Sequence, residues 1–339
     1  MPFVLALLVF FLSIWIVVPG PIVPLFVLTV GGTELWPILT VLSAIVLFVA
    51  LRSHSSTRPA AIIIALVALL CTLVPPAAYA MRGPHVPLSA LLMPLSGRSN
   101  TASLPPDAPV VLAIYGGAWE RGSPHNDARL NGIIASWGYR VLALNYPHAP
   151  RSRWPAQREA VLRQIDALPS GRIAVLGHSS GAQLAIIAAA LRPHRISAVI
   201  TFESPVDLQL AYEYPPQPDV IDVRHILLDL CGGPPEQQPQ CYRSASPRYT
   251  VRAGMPPVLM IAAGRDHVAP VAFEHILRDE LRSDGVGVTY LELPWADHAF
   301  EAVPGGFHER IALWYIRRFL DLRLKGPPRE QPDRQIRSD

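Results

Sequence analysis

The sequence predicts an α/β protein, built as a doubly wound, mostly parallel sheet with an inserted cap and preceded by about three transmembrane helices. Beyond residue 109, short apolar runs rich in β-branched residues alternate with helical patterns. Such runs are typical of strands buried on both faces of a parallel sheet, and their alternation with helices indicates a doubly wound arrangement. One polar, proline-rich stretch interrupts the alternation, and residues 1–82 are strongly apolar.

This pattern sets the predicted domain boundaries. The α/β domain is expected at 109–323, with a cap over the site at 205–254. Residues 83–108 are rich in Pro, Ser and Gly and are expected to be a linker with one possible first strand at 88–95. The charged end, 324–339, is expected to be disordered. The predicted strands are 110–115, 140–146, 172–177, 198–202, 257–263 and 288–293. One predicted helix begins at 155, and three others cover 180–192, 268–281 and 307–322.

Three apolar runs in the membrane segment, 1–82, are the predicted spans. They cover about 3–18, 35–51 and 60–80 and are almost uncharged. A helix needs about 20 apolar residues to cross a bilayer, and Pro19, Pro21 and Pro24 are expected to end the first run because proline breaks helices. In the alternative interpretation the three runs are buried helices of a soluble core, but a domain of this size cannot bury that much apolar surface.

The charges that flank these runs predict the orientation. The loop between the second and third runs carries Arg52, His54 and Arg58, whereas the loop before it carries Glu34. Positive charge marks the cytoplasmic side, so we expect a multi-pass protein of the cell membrane with its α/β domain on the non-cytoplasmic side. In an alternative interpretation the third run is a signal peptide cleaved near 78–80, which also exports the domain.

Composition excludes some classes of partner. The net charge of +3 comes from 29 basic and 26 acidic residues without a basic block, so nucleic acid is not an expected partner. The three cysteines, at 71, 231 and 241, do not have the spacing of metal ligands. We therefore expect neither a metal nor an organic cofactor.

The strongest motif is the segment 177–181, which reads Gly-His-Ser-Ser-Gly. It follows a predicted strand and precedes an alanine-rich helix, the context in which G-x-S-x-G places a serine oxygen above the carboxyl edge of a sheet. Both glycines are needed because side chains would clash in so tight a turn. Ser179 is therefore the predicted nucleophile, whereas a serine that only capped the helix would not require two flanking glycines.

A serine nucleophile needs a base and a carboxylate that orients it. His298 follows the last predicted strand and is the expected base, and Asp266 follows the strand before it and is the expected acid. The alternative carboxylates are Glu203, Asp297 and Asp207, of which Glu203 is the strongest, and the alternative bases are His178 and His267.

The negative oxygen formed during acyl transfer requires backbone N–H donors in a turn with little side-chain bulk. The segment after the first predicted strand, Tyr-Gly-Gly-Ala-Trp at 115–119, supplies such a turn. We assign Gly116, Gly117 and Ala118 to the oxyanion hole, with the N–H of Ser180 completing it. A plain glycine turn is the alternative.

These motifs together resemble the branch of α/β-hydrolase carboxylesterases that includes hormone-sensitive-lipase-like and feruloyl-esterase-like enzymes. The resemblance extends over about 109–319 and includes the segments 115–119, 145–150, 177–181, 203–208 and 245–247. In that family the oxyanion motif begins with histidine, which is thought to support the turn, and Tyr115 replaces it here. The first strands of the family's sheet are also shortened in this chain.

The resemblance and the motifs imply hydrolysis of a small-molecule or lipid carboxylic ester through an acyl-enzyme. Two alternatives stay open: an amidase or peptidase that uses the same three residues, and a catalytically inactive, membrane-anchored interaction protein. Acyl and alcohol specificity do not follow from the motifs, because cap and loop geometry shape those pockets.

Cys231 and Cys241 lie ten positions apart in the predicted cap. Disulfides persist in exported domains, and a loop this short is stabilised by about 3 kcal/mol in the chain-entropy account. We therefore hypothesise a Cys231–Cys241 disulfide, against the alternative of two unpaired thiols.

Overall fold

A computed structural model describes residues 1–95, 104–105, 107–169 and 171–326 of the chain. In this part of the chain one parallel sheet contains six strands, which confirms the predicted α/β class. The strands are β1 (Val110–Ile114), β2 (Arg140–Leu144), β3 (Ile173–His178), β4 (Ala198–Phe202), β5 (Val258–Ala263) and β6 (Val288–Leu293). Their order across the sheet is β2-β1-β3-β4-β5-β6, and every neighbouring pair is parallel.

Helices cover both faces of the sheet. Successive residues of a strand face opposite sides, so Leu112 and Ile114 enter one core while Val111 enters the other. The first core is closed by α8 (Ala156–Asp166), α9 (Ser180–Leu191) and α13 (Val271–Ser283), and the second by α7 (Ala128–Ser136) and α14 (Phe307–Leu320). The small side chains of α9 let it lie close to the sheet, and every residue from Ser180 to Ala190 is buried.

The predicted cap is a helical insertion between β4 and β5. It contains α10 (Leu208–Glu213), α11 (Val223–Cys231) and α12 (Pro239–Ala245). Apolar side chains of α11 join the first core, so the insertion packs on the α/β domain. A disulfide joins Cys231 to Cys241, as hypothesised, and thereby ties the end of α11 to α12.

Two predicted boundaries are wrong. Residues 88–91, expected to begin a first strand, form a helical turn, α6 (Leu88–Leu91), because a short apolar run does not distinguish strand from helix. The α/β domain also continues past 323. Leu324 is buried and the Arg172 guanidinium donates to its carbonyl at 2.7 Å. Residues 96–103 and 106 of the predicted linker, and 327–339 of the predicted tail, lie outside the described residues.

The N-terminal segment contains more helices than predicted but fewer of spanning length. They are α1 (Pro2–Ile14), α2 (Val23–Glu34), α3 (Trp36–Arg52), α4 (Arg58–Thr72) and α5 (Val74–Arg82). α4 and α5 form one apolar helix of 25 residues, which is long enough to cross a bilayer. α2 and α3 meet at 83° and count as a second span only if the bent pair is one span.

The expected count of three spans is therefore not supported. α1 has 13 residues, which is about 20 Å of helix, whereas the hydrocarbon core of a bilayer is about 30 Å thick. The expected break after the first run is present, because residues 15–22, which include Pro19 and Pro21, are not helical. Pro24 lies instead in the first turn of α2, where proline is tolerated.

Two glycines with different surroundings test how closely α9 approaches the sheet. A Cβ at Gly181 would overlap the backbone carbonyl oxygens of Ile114 and Tyr115, whereas a Cβ at Gly132 in α7 would meet nothing within 4 Å. We expect Gly181→Ala to lower the free energy of unfolding by at least about 3 kcal/mol, because backbone atoms cannot rotate away. Gly132→Ala should raise it by about 0.5 to 1 kcal/mol. Thermal unfolding of the detergent-solubilised protein measures both, and equal effects would contradict the close approach.

Candidate active site

The serine of the G-x-S-x-G motif occupies a strained turn between β3 and α9. Ser179 has φ 50° and ψ −120°, a conformation that non-glycine residues rarely adopt, and its N–H donates to the Phe202 carbonyl at 2.8 Å. A Cβ at Gly177 would overlap the backbone of Gly181. The glycines therefore allow the turn, and the turn places the Ser179 oxygen above the carboxyl edge of the sheet.

The structure brings Ser179, His298 and Asp266 together in one chain of hydrogen bonds. His298 Nε2 lies 3.0 Å from Ser179 Oγ, and its Nδ1 lies 2.8 Å from Asp266 Oδ2. The other carboxylate oxygen of Asp266 accepts the N–H groups of Val268 and Ala269 at 2.8 and 2.6 Å. The three side chains follow β3, β5 and β6, so the carboxyl ends of parallel strands position all of them.

Glu203, the strongest alternative acid, also lies beside the imidazole. Its Oε2 is 3.5 Å from His298 Nδ1 and accepts the Ala299 N–H at 2.6 Å, so Asp266 is the closer partner. Burial, and then repulsion from Glu301 and Asp266, raises the pKa of Glu203 well above its usual value. Its charged form is therefore disfavoured, and Asp266 keeps the shorter hydrogen bond to the imidazole.

The remaining alternatives have other partners. Asp297 accepts the N–H groups of His267 and His298 and pairs with the His267 ring at 2.6 Å. Asp207 accepts two N–H groups at the start of α10 and pairs with Arg248 at 3.0 Å. His178 Nδ1 lies 2.9 Å from Glu301 Oε1. None of these four side chains has a hydrogen bond to Ser179 Oγ among the described residues.

The electrostatics of the imidazole favour a strong base. Burial by itself lowers the pKa of His298, but the Asp266 charge and hydrogen bond outweigh burial and leave the pKa raised. Burial raises the pKa of Asp266, and the His298 charge opposes that rise. The protonated imidazole that forms when Ser179 loses its proton is thus stabilised by the carboxylate behind it.

The predicted oxyanion turn lies beside the serine. Gly116 packs so closely that an added Cβ would be 3.1 Å from Ser179 Cβ. Gly117 has φ 137° and Ala118 φ 55°, positive values that turn the backbone sharply after β1. Ser180 is the first residue of α9, where a backbone N–H has no acceptor within the helix. All four assigned residues therefore border the Ser179 oxygen or its turn.

Tyr146 supports this turn and was missed by the sequence analysis. Its hydroxyl donates to the Tyr115 carbonyl at 3.1 Å and lies 3.3 Å from Ser180 Oγ, and its ring stacks on the Tyr115 ring at 4.5 Å. The Tyr115 hydroxyl donates to Asn145 Oδ1 at 2.8 Å. A tyrosine pair thus fixes the turn where relatives of this fold are expected to use histidine.

Two cavities meet at Ser179. An apolar pocket under the cap, about 620 Å³ with its open mouth, is lined by side chains that include Leu208, Ile226, Leu227 and Phe273. A second cleft, lined by both polar and apolar side chains, lies on the His298 side. Its lining includes Gly116, Arg121, Asp127, Glu203 and Glu301, together with Phe26 from α2, a residue for which the sequence offered no signal.

One side-chain group in the described part of the chain has the spacing of metal ligands. Ligand atoms of Glu203, Asp266 and His298 lie within 4.8 Å of one another. A cation there would have to replace the hydrogen bond between His298 and Asp266, because the Nδ1 that faces Asp266 donates its proton to that carboxylate. The donor set fits a hydrogen-bonded acid and base better than a metal centre.

A parallel sheet with a serine on the strained turn after a central strand, and an acid and a histidine after later strands, defines the α/β-hydrolase fold. The family model described as BD-FAE matches residues 100–281. The match covers more than half of the chain, and the chain belongs to this family.

Curated proteins and solved structures agree with this assignment. The chain is 29% identical over 216 residues to the probable carboxylic ester hydrolase LipM of Mycobacterium tuberculosis, covering 57% of this chain and 50% of that protein. It is 29% identical over 221 residues to an acetyl-hydrolase of Streptomyces hygroscopicus, covering 57% and 69%. The chain spans about half the length of the mycobacterial relatives it matches.

The structural likenesses show the fold. A thermostable esterase of Pseudomonas putida has a TM-score of 0.57 at 18% identity, covering 67% of this chain and 77% of that one. A hyperthermophilic esterase of Pyrobaculum calidifontis has a TM-score of 0.55 at 22% identity, covering 66% and 77%.

The raised pKa of His298 predicts how the reactivity of Ser179 varies with pH. Only the neutral imidazole accepts the serine proton, so the rate of labelling by a fluorophosphonate should rise with pH, with a midpoint above the usual imidazole value of about 6.5. Asp266→Asn removes the charge that raises this pKa and leaves the burial that lowers it. The midpoint of its pH profile should therefore move to lower pH, and its maximum labelling rate should also be lower. A midpoint that stays in place would contradict the His298–Asp266 interaction.

Proposed function

We propose that this chain is a serine hydrolase that cleaves carboxylic esters through an acyl-enzyme. The observation that carries the proposal is the unbroken set of hydrogen bonds from Ser179 to His298 to Asp266 beside the glycine turn. The names of the curated relatives, ester hydrolase and acetyl-hydrolase, support an ester rather than an amide as substrate. A complete set of hydrogen-bonded groups also argues against an inactive interaction protein.

The first half of the reaction acylates the serine. His298 Nε2 takes the proton from Ser179 Oγ, and the oxygen attacks the ester carbonyl carbon. The carbonyl oxygen becomes negative and receives hydrogen bonds from backbone N–H groups of the Gly116–Ala118 turn and of Ser180. When the bond to the alcohol oxygen breaks, the imidazolium gives its proton to that oxygen, and the alcohol leaves.

The second half repeats these steps with water. His298 takes a proton from water, the hydroxide attacks the acyl carbon, and the same N–H groups receive the negative oxygen. Collapse of this intermediate breaks the bond to Ser179 Oγ, which recovers its proton from the imidazolium. The products are a carboxylic acid and an alcohol.

Three substitutions separate the proposed roles. Ser179→Ala should lower kcat for p-nitrophenyl esters by at least about 10⁴-fold, since the reaction loses its nucleophile. Asp266→Asn should be similarly damaging, because the imidazole loses its orienting anion. Glu203→Gln should change kcat by less than about tenfold, because a neutral amide oxygen still accepts the Ala299 N–H.

Initial rates over a series of acyl chain lengths measure these effects, and thermal unfolding confirms that each variant is folded. Ser179→Ala with a rate within about tenfold of the unsubstituted protein would overturn the proposal. A larger loss for Glu203→Gln than for Asp266→Asn would move the orienting role to Glu203.

We further propose that the N-terminal helices hold the protein in the cell membrane with the α/β domain on the non-cytoplasmic side. The 25-residue helix Arg58–Arg82 supports a membrane span. Arg52 at the end of α3 and Arg58 at the start of α4 flank the α3–α4 loop and support a cytoplasmic position for it. The Cys231–Cys241 disulfide supports an oxidising compartment for the α/β domain.

Two exposed serines on opposite sides of the proposed span test this topology. Ser55 lies in the α3–α4 loop and Ser283 ends α13, and both are exposed. A membrane-impermeant maleimide applied to intact cells should label Ser283→Cys and should label Ser55→Cys only after permeabilisation. Protein without either substitution is the control and should remain unlabelled until its disulfide is reduced. The reverse labelling pattern would place the α/β domain in the cytoplasm.

A further inference from the structure

The helix α2 is attached to the α/β domain by a buried, hydrogen-bonded pair of side chains. The Glu34 carboxylate at its end pairs with the His308 ring and accepts the His308 N–H at 2.9 Å, and neither side chain is exposed. Gly306 adjoins this carboxylate so closely that an added Cβ would overlap it. α2 is therefore held against the start of α14.

The chain that enters α2 is attached to the two loops that carry the acid and the base. Arg265 donates to the carbonyls of Ile16 and Val17 at 2.5 and 3.0 Å, and the Trp295 indole N–H donates to the Ile16 carbonyl at 2.9 Å. Arg265 immediately precedes Asp266, and Trp295 lies three residues before His298. The N-terminal segment thus contacts the active-site loops directly.

Between these attachments, Phe26 of α2 lines the cleft beside His298. In the proposed reaction His298 gives its proton to the departing alcohol, so the alcohol part of the ester must lie on the His298 side. The side chains that line that cleft are partly apolar and partly polar. Phe26, Ile221 and Val268 are apolar lining residues, and Arg121 and Asp127 are polar ones.

We infer that Phe26 is a specificity-determining residue for the alcohol part of the substrate, and that this alcohol is amphiphilic, with hydrocarbon against Phe26 and polar groups toward Arg121 and Asp127. The inference rests on the proposed ester hydrolysis. The acyl part lies in the apolar pocket under the cap, which Phe26 does not line.

The surface beside Phe26 indicates where such an ester comes from. Ile22, Val23 and Val27 of the same segment are 56%, 52% and 62% exposed. Exposed apolar groups beside a cleft are typical of contact with a membrane. An ester of an amphiphilic alcohol lies in the bilayer. These exposed side chains form an apolar rim that contacts the same bilayer and brings the cleft next to the ester.

The test keeps the acyl group constant and changes the alcohol. Dioctanoylglycerol releases an alcohol that carries both a hydrocarbon chain and a hydroxyl, whereas methyl octanoate releases methanol. Both are presented in phosphatidylcholine vesicles to the full-length protein. The ratio of kcat/KM for dioctanoylglycerol to that for methyl octanoate measures selectivity for the alcohol alone.

Phe26→Ala should lower this ratio by about tenfold, because it removes most of one apolar wall. Phe26→Leu, which keeps apolar bulk, should retain most of the ratio. Leu28→Ala is the matched control, since Leu28 is also on α2 but neither lines the cleft nor belongs to the exposed apolar rim, and its ratio should equal that of the unsubstituted protein. Fluorophosphonate labelling of Ser179 confirms that each variant has a folded site.

The outcomes distinguish this inference from the proposed function. If the unsubstituted protein cleaves neither ester, ester hydrolysis itself is wrong. If it cleaves them but Phe26→Ala and Leu28→Ala have the same ratio, or Phe26→Ala lowers both rates equally, the role of Phe26 is overturned and ester hydrolysis stands.

Discussion

The close approach of α9 to β1 is the constraint on which the active site depends. Gly181 lies against the Ile114 carbonyl at the end of β1, and Gly177 lies against the Gly181 backbone. The contact between Gly181 and β1 sets the distance between the serine, which lies just before α9, and the glycine turn, which follows β1. The contact between Gly177 and Gly181 makes the strand-to-helix turn tight, and Ser179 within that turn has a positive φ. One backbone crossing therefore aligns the nucleophile with the N–H groups that are to receive the oxyanion.

The buried charges around that crossing are arranged in pairs. The pairs are Asp266–His298, Asp297–His267 and Glu301–His178, at 2.8, 2.6 and 2.9 Å. Glu203 is left over, and its burial and acidic neighbours raise its pKa. The three imidazole partners avoid the cost of leaving their buried carboxylates unpaired.

Local pattern was sufficient to predict the sheet and the positions of Ser179, Asp266 and His298, because buried strands and a glycine-flanked serine have short-range signatures. It was insufficient for contacts between distant segments, such as the Tyr146 hydroxyl on the Tyr115 carbonyl. It also misjudged the N-terminal third. An apolar helix that packs on protein and one that faces lipid have the same composition, so Glu34 was interpreted as a loop charge although it is buried against His308.

The attachment of α2 bears on how this enzyme would be prepared for study. A fragment that begins after Arg82 leaves out the carbonyls bonded by Arg265, the carboxylate partner of His308 and the aromatic wall at Phe26. Such a fragment exposes a buried imidazole and a guanidinium that no longer have acceptors, and its cleft is open on one side. On the proposed ester hydrolysis and the inferred role of Phe26, such a fragment is expected to be less selective for the alcohol part of its substrate than the intact polypeptide.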